Sequence, residues 1–179
     1  MVALFLADGF EEIEALVVVD ILRRANIEIE TVSISNETKV IGSHKIPVIA
    51  DKTIGEIDKN KYECFILPGG LPGTTNLGNS KTVTEILLWA NNQKKYIAAI
   101  CAAPSVLGKL NILNGKNATC YPGYENELLG ANCTKEKVVT DSNVVTSKGA
   151  GTAHDFAFEL VKILKDEKTA KDIKNAMQY

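Results

Sequence analysis

The sequence predicts an α/β fold in which a mostly parallel sheet is covered by helices on both faces. Short apolar, β-branched runs alternate with stretches of helical periodicity along the chain. Strands that alternate with helices pair most simply in parallel, through crossovers that cover both faces of the sheet. At 179 residues, with no repeat, linker or low-complexity tract, residues 1–179 are expected to form one domain with a substantial core.

Val2 to Ala7 is continuously apolar, as expected of a strand buried on both faces. A first helix is predicted from Glu11 to Ala25, with Asp8 placed to cap it and Glu11 placed to complete an acidic capping box. Glu28 to Ile34 is the second strand, and Thr38 to Val48 reads as a hairpin. The strand Cys64 to Leu67 stops at Pro68-Gly69-Gly70, and a helix follows over Lys81 to Asn92. Tyr96 to Ile100 is a strand that leads into a helix over Ala102 to Leu110, where Pro104 occupies a first-turn position that tolerates proline. Val138 to Asp141 and Val144 to Thr146 form a second hairpin turning at Ser142-Asn143, and both hairpins are expected as antiparallel additions to the main sheet. Thr152 to Lys165 and the polar stretch Lys168 to Gln178 complete the helices.

Composition excludes several functions. Apolar residues at 45% and charged residues at 23% are ordinary for a soluble protein. A net charge of -2 with scattered Lys and Arg offers no footprint for nucleic acid or an anionic membrane. No apolar run reaches membrane-spanning length, and the N-terminus turns acidic at Asp8 without a basic leader. Cys64, Cys101, Cys120 and Cys133 contain no C-x-x-C pair, and His44 and His154 are not at zinc-ligand spacing from them. The expectation is therefore free thiols in a reducing, cytoplasmic compartment, with no metal.

Two residues stand out chemically. At about 100° per residue, Val17, Val18, Ile21 and Ala25 cluster on one side of the first helix, and Glu14 falls within that stripe, opposite Arg23. Glu11 and Glu12 are accounted for by the helix dipole. A core-facing Glu14 instead requires protonation or a functional partner, unless the helix end frays into solvent. Cys101 lies at a strand-to-helix junction flanked by Ala99, Ala102 and Ala103, where free helix amides favour a thiolate. The alternative for Cys101 is a buried small hydrophobe, the account that fits Cys64 better. Gly69-Gly70 end another strand, so the Gly70 amide together with that of Ala102 could form a two-donor oxyanion hole.

At these residues the strings Ala-Asp-Gly-Phe-Glu-Glu-Ile-Glu, Leu-Pro-Gly-Gly, Ala-Ala-Ile-Cys-Ala-Ala-Pro and Thr-Ser-Lys-Gly-Ala-Gly-Thr-Ala resemble the ThiJ/PfpI superfamily. More narrowly they resemble its Parkinson-disease protein deglycase branch, including bacterial ThiJ-like members. The resemblance implies a flavodoxin-like three-layer sandwich, usually dimeric, with a cysteine in a strained nucleophile turn and an acidic residue in reach of it. By motif position these are Cys101 and Glu14, with oxyanion amides at Gly70 and Ala102 and a pocket loop at Gly149-Ala150-Gly151. Tyr121 stands where many members have a histidine, and Ala102 stands where the peptidase branch has one, which disfavours Cys-His proteolysis. His154 beside the pocket loop is expected to be structural, and His44 is unassigned.

The function this implies is a cofactor-independent enzyme of glyoxalase or deglycase type, acting on small dicarbonyls or their adducts through Cys101 with Glu14 as proton shuttle. The rival is a redox sensor or stress chaperone with an oxidisable Cys101. A third label given to such sequences, thiazole monophosphate biosynthesis, finds no phosphate-binding feature in the chain.

Overall fold

The strands of the computed structural model, which describes residues 1–179, hold their side chains alternately against two separate layers of helices. In chain order the elements are β1 (Val2–Leu6), α1 (Glu12–Arg24), β2 (Ile29–Ser33), β3 (Lys39–Ile41), β4 (Pro47–Ile49), β5 (Lys52–Thr53), β6 (Cys64–Leu67), α2 (Gly73–Asn79) and α3 (Lys81–Asn92). There follow β7 (Tyr96–Ile100), α4 (Pro104–Lys109), β8 (Asn117–Ala118), β9 (Asn132–Cys133), β10 (Val138–Asp141), β11 (Val144–Ser147), α5 (Ala153–Leu164) and α6 (Glu167–Ala176).

Seven strands form one sheet in the order β10-β11-β7-β6-β1-β2-β5. All its pairings are parallel except that of the edge strand β10 with β11. This is a flavodoxin-like α/β sandwich. Because strand side chains alternate, Val2, Leu4 and Leu6 of β1 pack under α1 and α5, while Ala3 and Phe5 face α3 and α4. Both faces of the sheet are dry, which explains the unbroken apolar runs of β1, β6 and β7.

The second hairpin joins the main sheet as expected, but β3 and β4 pair only with each other, as a separate antiparallel ribbon. The ribbon packs on the start of α1 instead: Gly9 donates its amide to the Ile41 carbonyl and Ser43 donates to the Phe10 carbonyl, both at 2.8 Å. Asp8 takes no part in capping α1. Its carboxylate accepts the Ile41 amide at 2.8 Å, and Glu11 caps the helix in its place. The short elements α2, β5, β8 and β9 were not expected. The α2 sequence Gly-Thr-Thr-Asn-Leu-Gly-Asn is poor in helix formers and is held as a helix by its surroundings. No helix is long and apolar enough to cross a membrane.

Candidate active site

Three central neighbours, β7, β6 and β1, run parallel, so their carboxyl ends open onto one edge of the sheet. From β1 the chain enters α1 and Glu14; from β6 it enters Gly69-Gly70; from β7 it reaches Cys101. These loops interlock through their backbones. Glu11 donates to the Gly69 carbonyl at 2.9 Å, Gly73 to that of Gly9 at 3.2 Å, and Cys101 to that of Ser147 at 2.9 Å. Gly70, at φ +88°, allows the approach, since a Cβ there would lie 2.4 Å from the Glu11 nitrogen.

Cys101 itself has a φ of 65°, in the left-handed region that costs a non-glycine residue about 1 kcal/mol or more. The turn aims its sulfur off the end of β7 and leaves the residue half-buried. The amides of Gly70 and Ala102 both point at this sulfur and draw its pKa down. Gly69 lies between Cys101 and Glu14: a Cβ on it would sit 2.6 Å from both the Cys101 Cβ and Glu14 Oε2.

Glu14 is 1% exposed. Its Oε2 accepts the Gly69 amide at 2.7 Å, while its Oε1 is buried with no hydrogen-bond partner. Burial raises its carboxyl to about 7, against the opposing pull of the Gly69 amide and of Cys101. Burial and the negative charge of Glu14 likewise push the Cys101 thiol up to about 12. Each group thus resists ionising while the other is charged, and the two titrate as one unit. Sequence alone led to Cys101 as a distinctly acid thiol. With Glu14 ionised it is no more acid than Cys120, which burial also raises to about 12, so a reactive thiolate requires the proton on Glu14.

Gly149 closes one side of the site, where a Cβ would lie 3.9 Å from the Cys101 sulfur and 3.3 Å from the ring of Tyr121. Tyr121 is half exposed and donates its amide to the Cys101 carbonyl at 2.8 Å. Ala150 begins the short helical turn that follows Gly149. The Gly69 amide is taken by Glu14, so its part is to hold that carboxyl; the two donors free to face the sulfur are Gly70 and Ala102. Cys64 and Cys120 are buried, Cys133 is exposed, and no two cysteines are bridged. His154 stacks on Tyr179 with centroids 5.1 Å apart.

Glu12 does not sit on an outer helix face with a purely dipolar role. It is 5% exposed because the β3–β4 ribbon covers it. His44 Nδ1 and the His44 amide bond it at 2.9 and 2.8 Å, and the Ser43 hydroxyl at 3.2 Å. Burial alone would raise Glu12, but these bonds outweigh it and bring the carboxyl down to about 2. His44 is correspondingly held above its ordinary value, first by the hydrogen bond to Glu12. Glu11, Glu12 and His44 bring ligand-type atoms within 4.8 Å of one another, but the Glu12 oxygens are already spent on internal bonds. Gly42, where a Cβ would lie 2.1 Å from Glu12 Oε1, is the one sign of this arrangement in the sequence.

Comparison with known proteins gives a consistent result. The profile of the DJ-1/PfpI family matches residues 1–163. Protein dj-1beta of Drosophila melanogaster is 33% identical over 170 residues, covering 94% of this chain and 91% of that protein. A Pyrococcus abyssi protein named a deglycase is 29% identical, covering 89% of this chain and 96% of that protein. Among solved structures, a cysteine-to-alanine mutant of a DJ-1 superfamily protein from Salmonella typhimurium has a TM-score of 0.95 at 32% identity, covering 99% of this chain and 97% of that one. The oxidized DJ-1 of Toxoplasma gondii has a TM-score of 0.95 at 34% identity, with the same coverage.

Proposed function

This chain belongs to the DJ-1/PfpI family, and from that premise we propose that it is a cofactor-independent enzyme acting on small dicarbonyls, or on their early adducts with amines and thiols. The observation that carries the reading is the buried Glu14, one oxygen held by Gly69 and the other unspent, beside a cysteine whose sulfur faces two backbone amides. A thiolate formed by handing the Cys101 proton to Glu14 adds to the aldehyde carbon of a compound such as methylglyoxal. The oxyanion of the resulting hemithioacetal falls to the amides of Gly70 and Ala102, and Glu14 returns the proton to it. Glu14 then moves a proton from the former aldehyde carbon to the neighbouring carbonyl carbon, while the hydroxyl proton on the first carbon passes to the oxygen of the second. The first carbon is oxidised to a thioester and the second is reduced to an alcohol, with no external oxidant. Water cleaves the thioester to a 2-hydroxy acid and frees the thiol. The name of the Pyrococcus relative supports the same substrate class.

A dicarbonyl panel assayed without added glutathione tests the reading, run on the native protein beside Cys101→Ser and Glu14→Gln. Turnover lost in Cys101→Ser supports it. Turnover that survives that substitution removes Cys101 from the chemistry.

A second reading, a redox sensor, draws on the exposed edge of Cys101 and on the likeness to an oxidized relative. Peroxide that oxidises Cys101 without altering any biological output would count against it. The four unbridged cysteines suit a reducing, cytoplasmic setting. A homodimer completes the proposal: Ile13, Leu16, Ile41, Ile46 and Ile49 leave exposed apolar surface on α1 and on the ribbon that packs against it.

A further inference from the structure

One wall beside the Cys101 sulfur is an aromatic ring, and the sequence around it fixes its place. Tyr121-Pro122-Gly123-Tyr124 closes as a β-turn, the Tyr124 amide donating to the Tyr121 carbonyl at 3.1 Å. Proline suits the second position of such a turn and glycine the third, where Gly123 takes a φ of +101°. From its other side Tyr121 donates its own amide to the Cys101 carbonyl at 2.8 Å. The Tyr121 backbone is thus held at both ends, one of them on the nucleophile itself. A half-exposed tyrosine needs no explanation on its own. This one is different because of what its ring borders. A single point, that of a Cβ on Gly149, lies 3.3 Å from Tyr121 Cδ2 and 3.9 Å from the Cys101 sulfur. Ring edge and sulfur therefore flank the same space, which the missing side chain of Gly149 leaves open. The ring is 51% exposed and has no aromatic or cationic partner within the chain.

We infer that Tyr121 sets the specificity of the site, favouring 2-oxoaldehydes that carry an aryl group over methylglyoxal. The inference rests on the dicarbonyl reading and names a substrate class within it. The polar end of the adduct on Cys101 is answered by the amides of Gly70 and Ala102 and by the Glu14 carboxyl. Gly69 leaves no room for a substituent, since a Cβ there would already press 2.6 Å from both the Cys101 Cβ and Glu14 Oε2. The group on the second carbonyl carbon is left the side of Gly149 and Tyr121. A methyl group covers little of the ring there. An aryl group meets it edge-on or offset and removes far more apolar surface from water.

The test compares kcat/KM for phenylglyoxal and methylglyoxal, without glutathione, in the native protein, Tyr121→Ala, Tyr121→Phe and Gly149→Ala. The readout is the ratio of the two constants, because the intrinsic reactivities of the aldehydes are the same for every variant. A variant that merely folds poorly lowers both constants together and leaves the ratio in place. Tyr121→Ala should lower the ratio about tenfold, and Tyr121→Phe, which keeps the ring, should hold it within about twofold. Gly149→Ala should lower it too, by filling the shared space. Inhibition by mandelate relative to lactate, the 2-hydroxy acids that the two substrates give, should follow the same pattern and is free of the reaction of phenylglyoxal with arginine side chains. An unchanged ratio in Tyr121→Ala, for substrates or for products, would overturn the inference while Cys101-dependent turnover of methylglyoxal left the proposed function standing. A ratio that fell as far in Tyr121→Phe would assign the effect to the hydroxyl and overturn it as well. Absence of turnover with both aldehydes would sink the proposed function, and this inference with it.

Discussion

Glu14 holds a carboxyl where water is absent, and its pH dependence follows. Its ordinary value of 4.5 is raised to about 7 by burial, so the folded state binds its proton more tightly than the unfolded state. Below about pH 4.5 both states are protonated and nothing is lost. As the pH rises through 7, folding must carry a buried charge on the coupled Glu14–Cys101 pair, at most about 3 kcal/mol at 1.36 kcal/mol per pH unit. Glu14→Gln combined with Cys101→Ser keeps an acceptor for the Gly69 amide and leaves the pair no charge to carry. It should therefore be more stable than the native protein in urea at pH 8 and about equal to it at pH 4. Glu14→Gln alone should lower dicarbonyl turnover by about a hundredfold or more, because an amide cannot shuttle a proton. Steady-state rates at pH 7 check this. Glu14 was legible in the sequence because a carboxylate fell within an apolar stripe. Glu12 was not, since the helix wheel takes no account of a ribbon folding over from residues thirty positions away.

The elements were legible in proportion to their periodicity. The strands β1, β6 and β7 and the helices α3 and α5 are long or uniformly apolar, and their patterns survive folding unaltered. The misplaced features depend on tertiary partners: α2 stands on loop contacts, β5, β8 and β9 have two residues each, and Asp8 left the cap for Ile41. One prediction belongs here. The loop between β1 and α1 turns at Gly9, φ +85°, where a Cβ would press 2.4 Å from Pro72 Cδ. Gly9→Ala should cost roughly 2 kcal/mol or more, from the strained φ and the displaced start of α2. A urea unfolding midpoint equal to that of the native protein would show that the two loops are not tightly joined.

Across the whole molecule, the parallel sheet gathers residues 14, 69–70 and 101 at one edge, although they are distant in sequence. The order of strands and the meeting of Glu14 with Cys101 depend on pairing that no local pattern encodes. On the outer surface, Ile49 is 67% exposed on the ribbon face it shares with Ile41, opposite Lys39. If that face is the dimer contact, Ile49→Lys should convert a dimer to a monomer in sedimentation equilibrium at micromolar concentration while leaving the fold intact. The central claim, one proton shared between Glu14 and Cys101, is tested most directly by ultraviolet thiolate absorbance against pH for the native protein, Glu14→Gln and Glu14→Leu, each corrected with its Cys101→Ser counterpart. The native protein should show a Cys101 thiolate at neutral pH, well below the ordinary thiol pKa of about 8.5. Glu14→Gln, which can still donate a hydrogen bond to sulfur, should retain it, and Glu14→Leu should shift it upward. Identical Cys101 titrations in all three proteins would contradict the account.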